Sequence, residues 1–365
     1  MEKRVLIKEI KLESFRSYEF LEAPIHQGIT LFYGDNGSGK SSIIESVYYS
    51  LTGKSFRTND TNNLIKETKK QTQILLVFDE GKSVKITKKL NNRAQISQNR
   101  GDKTNNFTKL IRIYPNCLIE NKEFFFTTSN PEQKRSFLNK ILFYVEQTEA
   151  LLLNELKKIT TQRAACLKNN GFEQIKYWDD KLIEIEPKVT KLNKKICEKI
   201  NNFILDSTIV GLFEEKNPWI KNLNVQYDPG FSQSAIFSDI LINNYEKDAI
   251  LKRTTEGPHK RSFNIFLNNI NASEVLSRGQ QKIISIIMHL IQREIIIEGT
   301  NLTPILLMDD ISSELDKENA NLMLKYLINN SVQTIMTSIN PTYFKEHKDV
   351  FLFHVEHNKG CSYVK

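Results

Sequence analysis

The chain has 365 residues, of which 39% are hydrophobic and 26% charged, ordinary figures for a folded protein with room for two domains. No run of about 18 apolar residues occurs, so no membrane-spanning helix is expected. Met1-Glu2-Lys3-Arg4-Val5-Leu6-Ile7-Lys8 mixes charged with apolar residues where a signal peptide would be continuously apolar, and the expected location is cytoplasmic. Four cysteines, Cys117, Cys166, Cys197 and Cys361, lie far apart with no CxxC spacing. That argues against a zinc site and, in a cytosolic chain, against disulfides.

Net charge is +8 and unevenly spread: ten basic residues lie between Lys66 and Lys103 against four acidic ones. Such a patch suits a polyanion such as DNA. The candidate contacts are Lys66, Lys69, Lys70, Lys85, Lys88, Lys89 and Arg93; a solvated lysine-rich face is the plain alternative.

In chain order, residues 4–12 and 29–33 read as short strands, the second running into a glycine-rich loop. A helix follows over 41–51, with Ile43, Ile44, Val47, Tyr48 and Leu51 on one face. Residues 73–78 and 83–87 read as a hairpin about Asp79-Glu80-Gly81-Lys82. The pattern changes near residue 130. Asn130, Pro131 and Gln133 supply a capping side chain, a first-turn proline and a residue able to reach back, and one long helix is predicted to about Lys168.

Beyond Gly171, apolar residues recur at Ile175, Trp178, Leu182, Ile185, Val189, Leu192, Ile196, Ile200 and Phe203, a seam for a partner helix. Pro187 predicts a kink or break in it. Because each helix is short, an antiparallel pair within one molecule is preferred to an intermolecular coiled coil. Alternation returns over 262–267, with a turn at Asn268-Asn269. A buried helix is predicted over 280–297. The apolar strand Ile305-Leu306-Leu307-Met308 leads into Asp309, and Thr334-Ile335-Met336 is expected to end the core sheet. The fold class is therefore α/β, with residues 1–125 and 251–365 forming one domain around an inserted α-helical domain, 126–250.

Gly34-Asp35-Asn36-Gly37-Ser38-Gly39-Lys40-Ser41 matches GxxxxGK[ST] with one extra glycine, Gly37. Glycines let backbone N–H groups close around a phosphate, and the following helix N-terminus adds its dipole. Lys40 can bridge β- and γ-phosphates, and the Ser41 hydroxyl can ligate Mg²⁺; Ser42 completes the ATP-binding stretch. Far downstream, Asp309 ends a buried strand where it would hold Mg²⁺ through water, and Asp310 is placed to polarise the attacking water. Lys40 and Asp310 are thus the catalytic candidates. Alone, the acid pair is a weak signal; with the loop it is a strong one.

Leu276-Ser277-Arg278-Gly279-Gln280-Gln281-Lys282 precedes a helix and begins 33 residues before Asp309. It resembles the signature motif of ABC-type ATPases. In that superfamily the serine and glycine meet the γ-phosphate held by a second subunit, so the resemblance implies that Ser277, Gly279 and Gln280 act in trans within an ATP-dependent homodimer. Ser313-Glu314-Leu315-Asp316 resembles the D-loop of the same superfamily.

Phe15-Arg16-Ser17-Tyr18, the phosphate loop and Tyr48 to Arg57 resemble the N-terminal pattern of the RecF family. Gly257-Pro258-His259-Lys260, Leu276 to Lys282, and Asp309 to Asp316 resemble its C-terminal pattern. In the middle only Lys134-Arg135-Ser136-Phe137-Leu138 and Trp178-Asp179 stand out. The chain departs from the family at Arg261-Ser262, where two acids are usual, and at Asn116, where an acid is common. Thr337-Ser338 occupy the place of the switch histidine of transporter-type ATPases, which RecF proteins also lack.

The resemblance implies an ABC-type P-loop ATPase that turns over slowly, dimerises on ATP and clamps DNA. With RecO and RecR it would promote RecA loading at gaps and support replication and the SOS response. A transporter subunit would lack the helical insertion and show the switch histidine, and a nucleotide kinase would need a substrate lid. An SMC-like repair or defence ATPase with other partners is the remaining alternative.

Overall fold

The computed structural model describes residues 4–99, 102–104, 106–120, 126–127, 131–146, 150–169, 172–310, 315–358 and 360–365. The chain divides into two compact units, one from Met1–Glu123 with Ser285–Lys365, the other from Phe124–Ile284.

The first unit begins with β1 (Ile7–Phe15), β2 (Tyr18–Pro24), β3 (Ile29–Tyr33) and helix α1 (Lys40–Thr52). There follow β4 (Gln71–Phe78), β5 (Ser83–Lys89), β6 (Gln95–Gln98), β7 (Asp102–Thr104), α2 (Phe107–Ile113) and β8 (Asn116–Ile119). The second unit holds α3 (Pro131–Val145), α4 (Ala150–Lys168), α5 (Phe172–Leu205), α6 (Thr208–Glu214), β9 (Leu223–Asp228), α7 (Phe237–Asn243), α8 (Tyr245–Leu251), β10 (Ser262–Leu267), β11 (Ile270–Asn271) and α9 (Ala272–Val275). Helix α10 (Arg278–Thr300) then leads back into the first unit, which ends with β12 (Ile305–Met308), α11 (Lys317–Asn329), β13 (Thr334–Ser338), β14 (Val350–Asn358) and β15 (Cys361–Val364).

Two sheets build the first unit. One is antiparallel, in the order β2-β1-β4-β5-β6-β7. The other runs β15-β14-β3-β13-β12-β8, parallel throughout except for the β14–β15 hairpin. Strands β8, β12 and β13 are buried at every position, as parallel strands covered on both faces must be. Gln333 fastens β1 to the start of β13: its amide accepts from Ile7 N at 2.8 Å and donates to the carbonyls of Ile7 and His26 at 2.7 and 3.0 Å. Strands β3, β13 and β12 are neighbours, so the segments leaving their carboxyl ends converge. That is where open α/β sheets bind ligands.

In the second unit α4 and α5 form an antiparallel pair. Leu156 and Ile159 pack with Leu182, Ile185 and Val189, while Cys166 and Leu167 meet Ile175. Fully buried Arg163 ties this pair together: Nε donates to Asp179 and Nη1 to Asp248, both at 2.5 Å, and Nη1 also to Thr254 at 3.0 Å. A buried charge persists only when partnered in this way.

Several expectations need correction. The single helix predicted from Pro131 to Lys168 is two helices, the first ending at Val145 and the second starting at Ala150; Phe143-Tyr144-Val145 are weak helix formers with no glycine or proline to flag the stop. The expected cap at Asn130 lies outside the described residues. Helix α5 passes Pro187 without a break, because that ring sits on the exposed face, where water can satisfy the carbonyl left without a donor. The first strand covers Ile7–Phe15 rather than 4–12. Strand β13 does not end the sheet but lies at its centre, with β14 and β15 following. Among the described residues no helix is long and apolar enough to cross a membrane.

Candidate nucleotide site

The phosphate loop leaves β3 at Gly34 and enters α1 at Lys40. Its path depends on glycine. Gly34, Gly37 and Gly39 have φ of 153°, 80° and 109°, values that side chains disfavour. At Gly34 a Cβ would also meet the Val355 carbonyl oxygen at 2.2 Å, and at Gly39 the Ser362 hydroxyl at 2.6 Å, so the C-terminal hairpin braces the loop from behind. At Gly37 a Cβ would meet nothing within 4 Å. That side of the loop is open.

Lys40 is buried, and its ammonium donates to the Gly34 and Asp35 carbonyls, each at 2.7 Å. Burial pulls its pKa below the ordinary lysine value, opposed by the charges of Asp310, Asp309 and Asp35. The Ser38 hydroxyl is buried with no hydrogen-bond partner among the described residues, as expected of a group waiting for a ligand. A cleft of about 430 Å³ opens beside the loop, lined by Asn36, Gly37, Gly39, Lys40, Ser41, Ser42 and Asp310 together with Arg16, Ser17 and Arg57. That size lies within the usual range for small-molecule sites.

Asp309 and Asp310 follow β12, one strand removed from the loop, and Thr337 on the intervening β13 joins them. Its hydroxyl donates to Asp309 Oδ1 at 2.7 Å and accepts from the Asp310 N–H at 2.8 Å. Asp310 takes a left-handed φ of 50°, a conformation tolerable for aspartate when local hydrogen bonds hold it. The residues present fit a magnesium nucleotide: an open glycine cradle, a hydroxyl without a partner among the described residues, a buried lysine held on loop carbonyls, and Ser41 and Asp309 as the oxygen donors that would hold Mg²⁺. Mg²⁺ so held would neutralise phosphate charge.

A model of the RecF/RecN/SMC N-terminal domain matches residues 6–362. The chain belongs to that family. Among its relatives, DNA replication and repair protein RecF of Pseudoalteromonas translucida (strain TAC 125) is 28% identical over 362 residues, 96% of this chain and 98% of that one. RecF of Shewanella halifaxensis (strain HAW-EB4) is 26% identical over 97% of both chains. The solved structure of the recombination mediator protein RecF with ATP, in the RecFOR pathway, aligns at TM-score 0.82 and 21% identity, covering 100% of this chain and 99% of that one. An Smc head domain from Pyrococcus furiosus, bound to the C-terminal domain of ScpA, aligns at 0.59 and 16% identity over 99% and 96%. These likenesses show the fold, that of RecF and of Smc head domains.

Three further expected site residues belong to the second unit. Ser277, Gly279 and Gln280 start α10 in the second unit. Ser277 and Gln280 make a reciprocal cap: Gln280 Oε1 accepts from Ser277 N at 2.9 Å, and Ser277 Oγ from Gln280 N at 3.3 Å. A Cβ at Gly279 would meet nothing within 4 Å. Neither packing nor a left-handed backbone calls for glycine there, which leaves the helix start open to close approach. Ser313 and Glu314 fall outside the described residues.

The basic candidates divide by strand parity. Lys85 and Lys89 point outward from β5, and Lys70 and Arg93 are exposed. Lys69 is exposed but pairs with Glu19 at 2.6 Å. Lys88 must be corrected: it faces inward, 3% exposed, and its ammonium donates to Asn62 Oδ1 and to the carbonyls of Lys89 and Asn92. Lys66 is likewise engaged, donating to the Ser17 and Gly360 carbonyls at 3.1 Å. Both are structural tethers.

The sequence pattern assigns no role to Glu45, Arg57 or Thr337. The one available signal is Glu45 itself, an acid set among the apolar residues of α1.

Proposed function

We propose that this protein is an ATP-dependent DNA-binding protein of RecF type. It binds ATP with Mg²⁺ through residues 34–42, Asp309 and Asp310, dimerises head to head so that Ser277, Gly279 and Gln280 of one copy complete the site of the other, and holds DNA while closed. Hydrolysis, with Lys40 stabilising phosphate charge and Asp310 polarising water, releases it. With RecO- and RecR-type mediators it promotes RecA loading at gaps and serves replication and the SOS response in the cytoplasm.

The observation that carries this reading is the convergence at the ends of β3, β13 and β12: an open glycine cradle with an unpartnered buried hydroxyl faces a tethered acid pair. The names of the relatives support the repair role. ATP works here as a latch, since two copies share each site and binding energy goes into closure.

The test is sedimentation and DNA binding with and without ATP and Mg²⁺ for wild type, Lys40→Met and Ser277→Arg. ATP should raise both dimerisation and DNA affinity of the wild type and of neither variant. If ATP changes neither property of the wild type, the clamp reading fails. If Ser277→Arg dimerises and hydrolyses normally, the role in trans is wrong.

A further inference from the structure

Glu45 lies on α1 one turn beyond Ser41 and is completely buried. An isolated carboxylate at that depth is strongly disfavoured, so its partners define its purpose. They are three, and all come from loops. Arg16, in the turn between β1 and β2 with φ of 51°, grips the carboxylate with both arms, Nη2 to Oε1 at 2.6 Å and Nε to Oε2 at 2.9 Å. Ser55 donates to Oε1 at 2.5 Å. Arg57 approaches Oε2 at 3.6 Å and also donates to the Ser42 hydroxyl at 3.4 Å.

Two guanidiniums thus share one carboxylate. Arg16 and Arg57 both line the cleft beside the phosphate loop. Among the described residues, Arg16 Nη1 and the Nε and Nη2 of Arg57 have no protein acceptor. These donors belong to side chains that line the cleft in which the nucleotide reading puts phosphates, along with the carboxylates of Glu67 and Asp310, and planar guanidinium forks suit phosphate oxygens. Glu45 does not line the cleft itself and acts only through what it holds.

We propose that Glu45 is a positioning residue that holds Arg16 and Arg57 together as one anion-binding wall of the nucleotide cleft. The proposal rests on the nucleotide reading above. Glutamine at this position keeps the size but turns an acceptor into a donor facing a guanidinium, so the arginines lose their common anchor.

The experiment is titration of a fluorescent ATP analogue in Mg²⁺ buffer, with thermal melting alongside, for wild type, Lys40→Ala, Glu45→Gln, Arg16→Ala/Arg57→Ala and the triple variant. Glu45→Gln should weaken the analogue about tenfold, and the arginine pair at least as much. The triple variant should bind like the arginine pair, because Glu45 has no effect without the groups it positions. A merely structural Glu45 would instead lower melting equally in both backgrounds and add its loss to theirs; that result overturns the proposal, as does wild-type affinity in Glu45→Gln. Should Glu45→Gln not fold, the arginine pair decides, since unchanged affinity there also overturns it. Wild type that fails to bind, or Lys40→Ala that binds normally, sinks the nucleotide reading, a failure distinct from that of the Glu45 proposal.

Discussion

Thr337 holds Asp309 in place: one buried hydroxyl donates to the Asp309 carboxylate at 2.7 Å and accepts from the backbone N–H of Asp310 at 2.8 Å. The side chain that would receive Mg²⁺ and the left-handed turn carrying the proposed catalytic acid are therefore fixed by the same oxygen. Thr337→Val preserves shape and leaves a buried N–H and a carboxylate oxygen short of partners, a cost of about 1–3 kcal/mol. ATP hydrolysis should fall about tenfold or more while nucleotide affinity changes little, and Thr337→Ser should restore turnover. Phosphate release at saturating ATP, with analogue titration in parallel, reads both. Equal losses in affinity and turnover would show that the tether supports binding instead.

The glycines of the loop separate folding from binding. Gly34→Ala sets a methyl against the Val355 carbonyl oxygen at 2.2 Å and should destabilise the first unit by about 3 kcal/mol, more than the cost of positive φ alone. Gly37→Ala meets nothing, so its cost is confined to about 1 kcal/mol of backbone strain, but the methyl enters the open side of the loop where the proposed nucleotide would bind. Melting should distinguish the two strongly, whereas nucleotide titration should find both defective.

How much of this was legible from sequence depends on the range of the interactions. The phosphate loop, the strand before it and the helix after it are local, and glycine, lysine and serine at fixed spacing announced them. The acid pair was legible because a four-residue apolar strand precedes it. The tether was not, since Thr337 gains its role only from β13 lying between β3 and β12, which is a fact of strand order. Glu45 was hidden for the same reason: Arg16 comes from 29 residues away in the chain, and without it the acid merely interrupts an apolar face. The Lys88 error came from counting charge without strand parity, since β5 buries Val84, Ile86 and Lys88 while exposing Lys85 and Lys89.

That parity makes a test of the proposed DNA surface. Lys85→Glu with Lys89→Glu should weaken DNA binding in ATP and flatten its salt dependence by about one unit of slope for each phosphate no longer neutralised, with melting unchanged. Lys88→Met should do the reverse, because it takes the ammonium donor from the Asn92 carbonyl and one of two donors each from Asn62 Oδ1 and the Lys89 carbonyl. If Lys88→Met alone reduced the salt slope, the assignment of faces would be wrong.

His259 offers a pH signature in the second unit. Its Nε2 pairs with the Thr254 carbonyl at 3.1 Å, so this nitrogen carries the proton, and Nδ1 is buried without a partner among the described residues. Burial pushes its pKa from 6.5 down to about 4, with the positive charges of Lys260 and Arg135 adding to the fall. The folded state therefore keeps the ring neutral at pH values where the unfolded chain protonates it. The sign follows: the stabilisation is complete above pH 6.5 and is lost as pH falls from there toward 4. Between pH 7.5 and 5 this group should account for about 2 kcal/mol, or roughly 4–8 °C of melting temperature for a unit of this size. His259→Gln retains a donor for Thr254 and cannot titrate. The wild-type melting temperature should fall toward that of the variant, or below it, as pH drops to 5; parallel curves over that range would mean that the ring takes up its proton equally in the folded and unfolded chain.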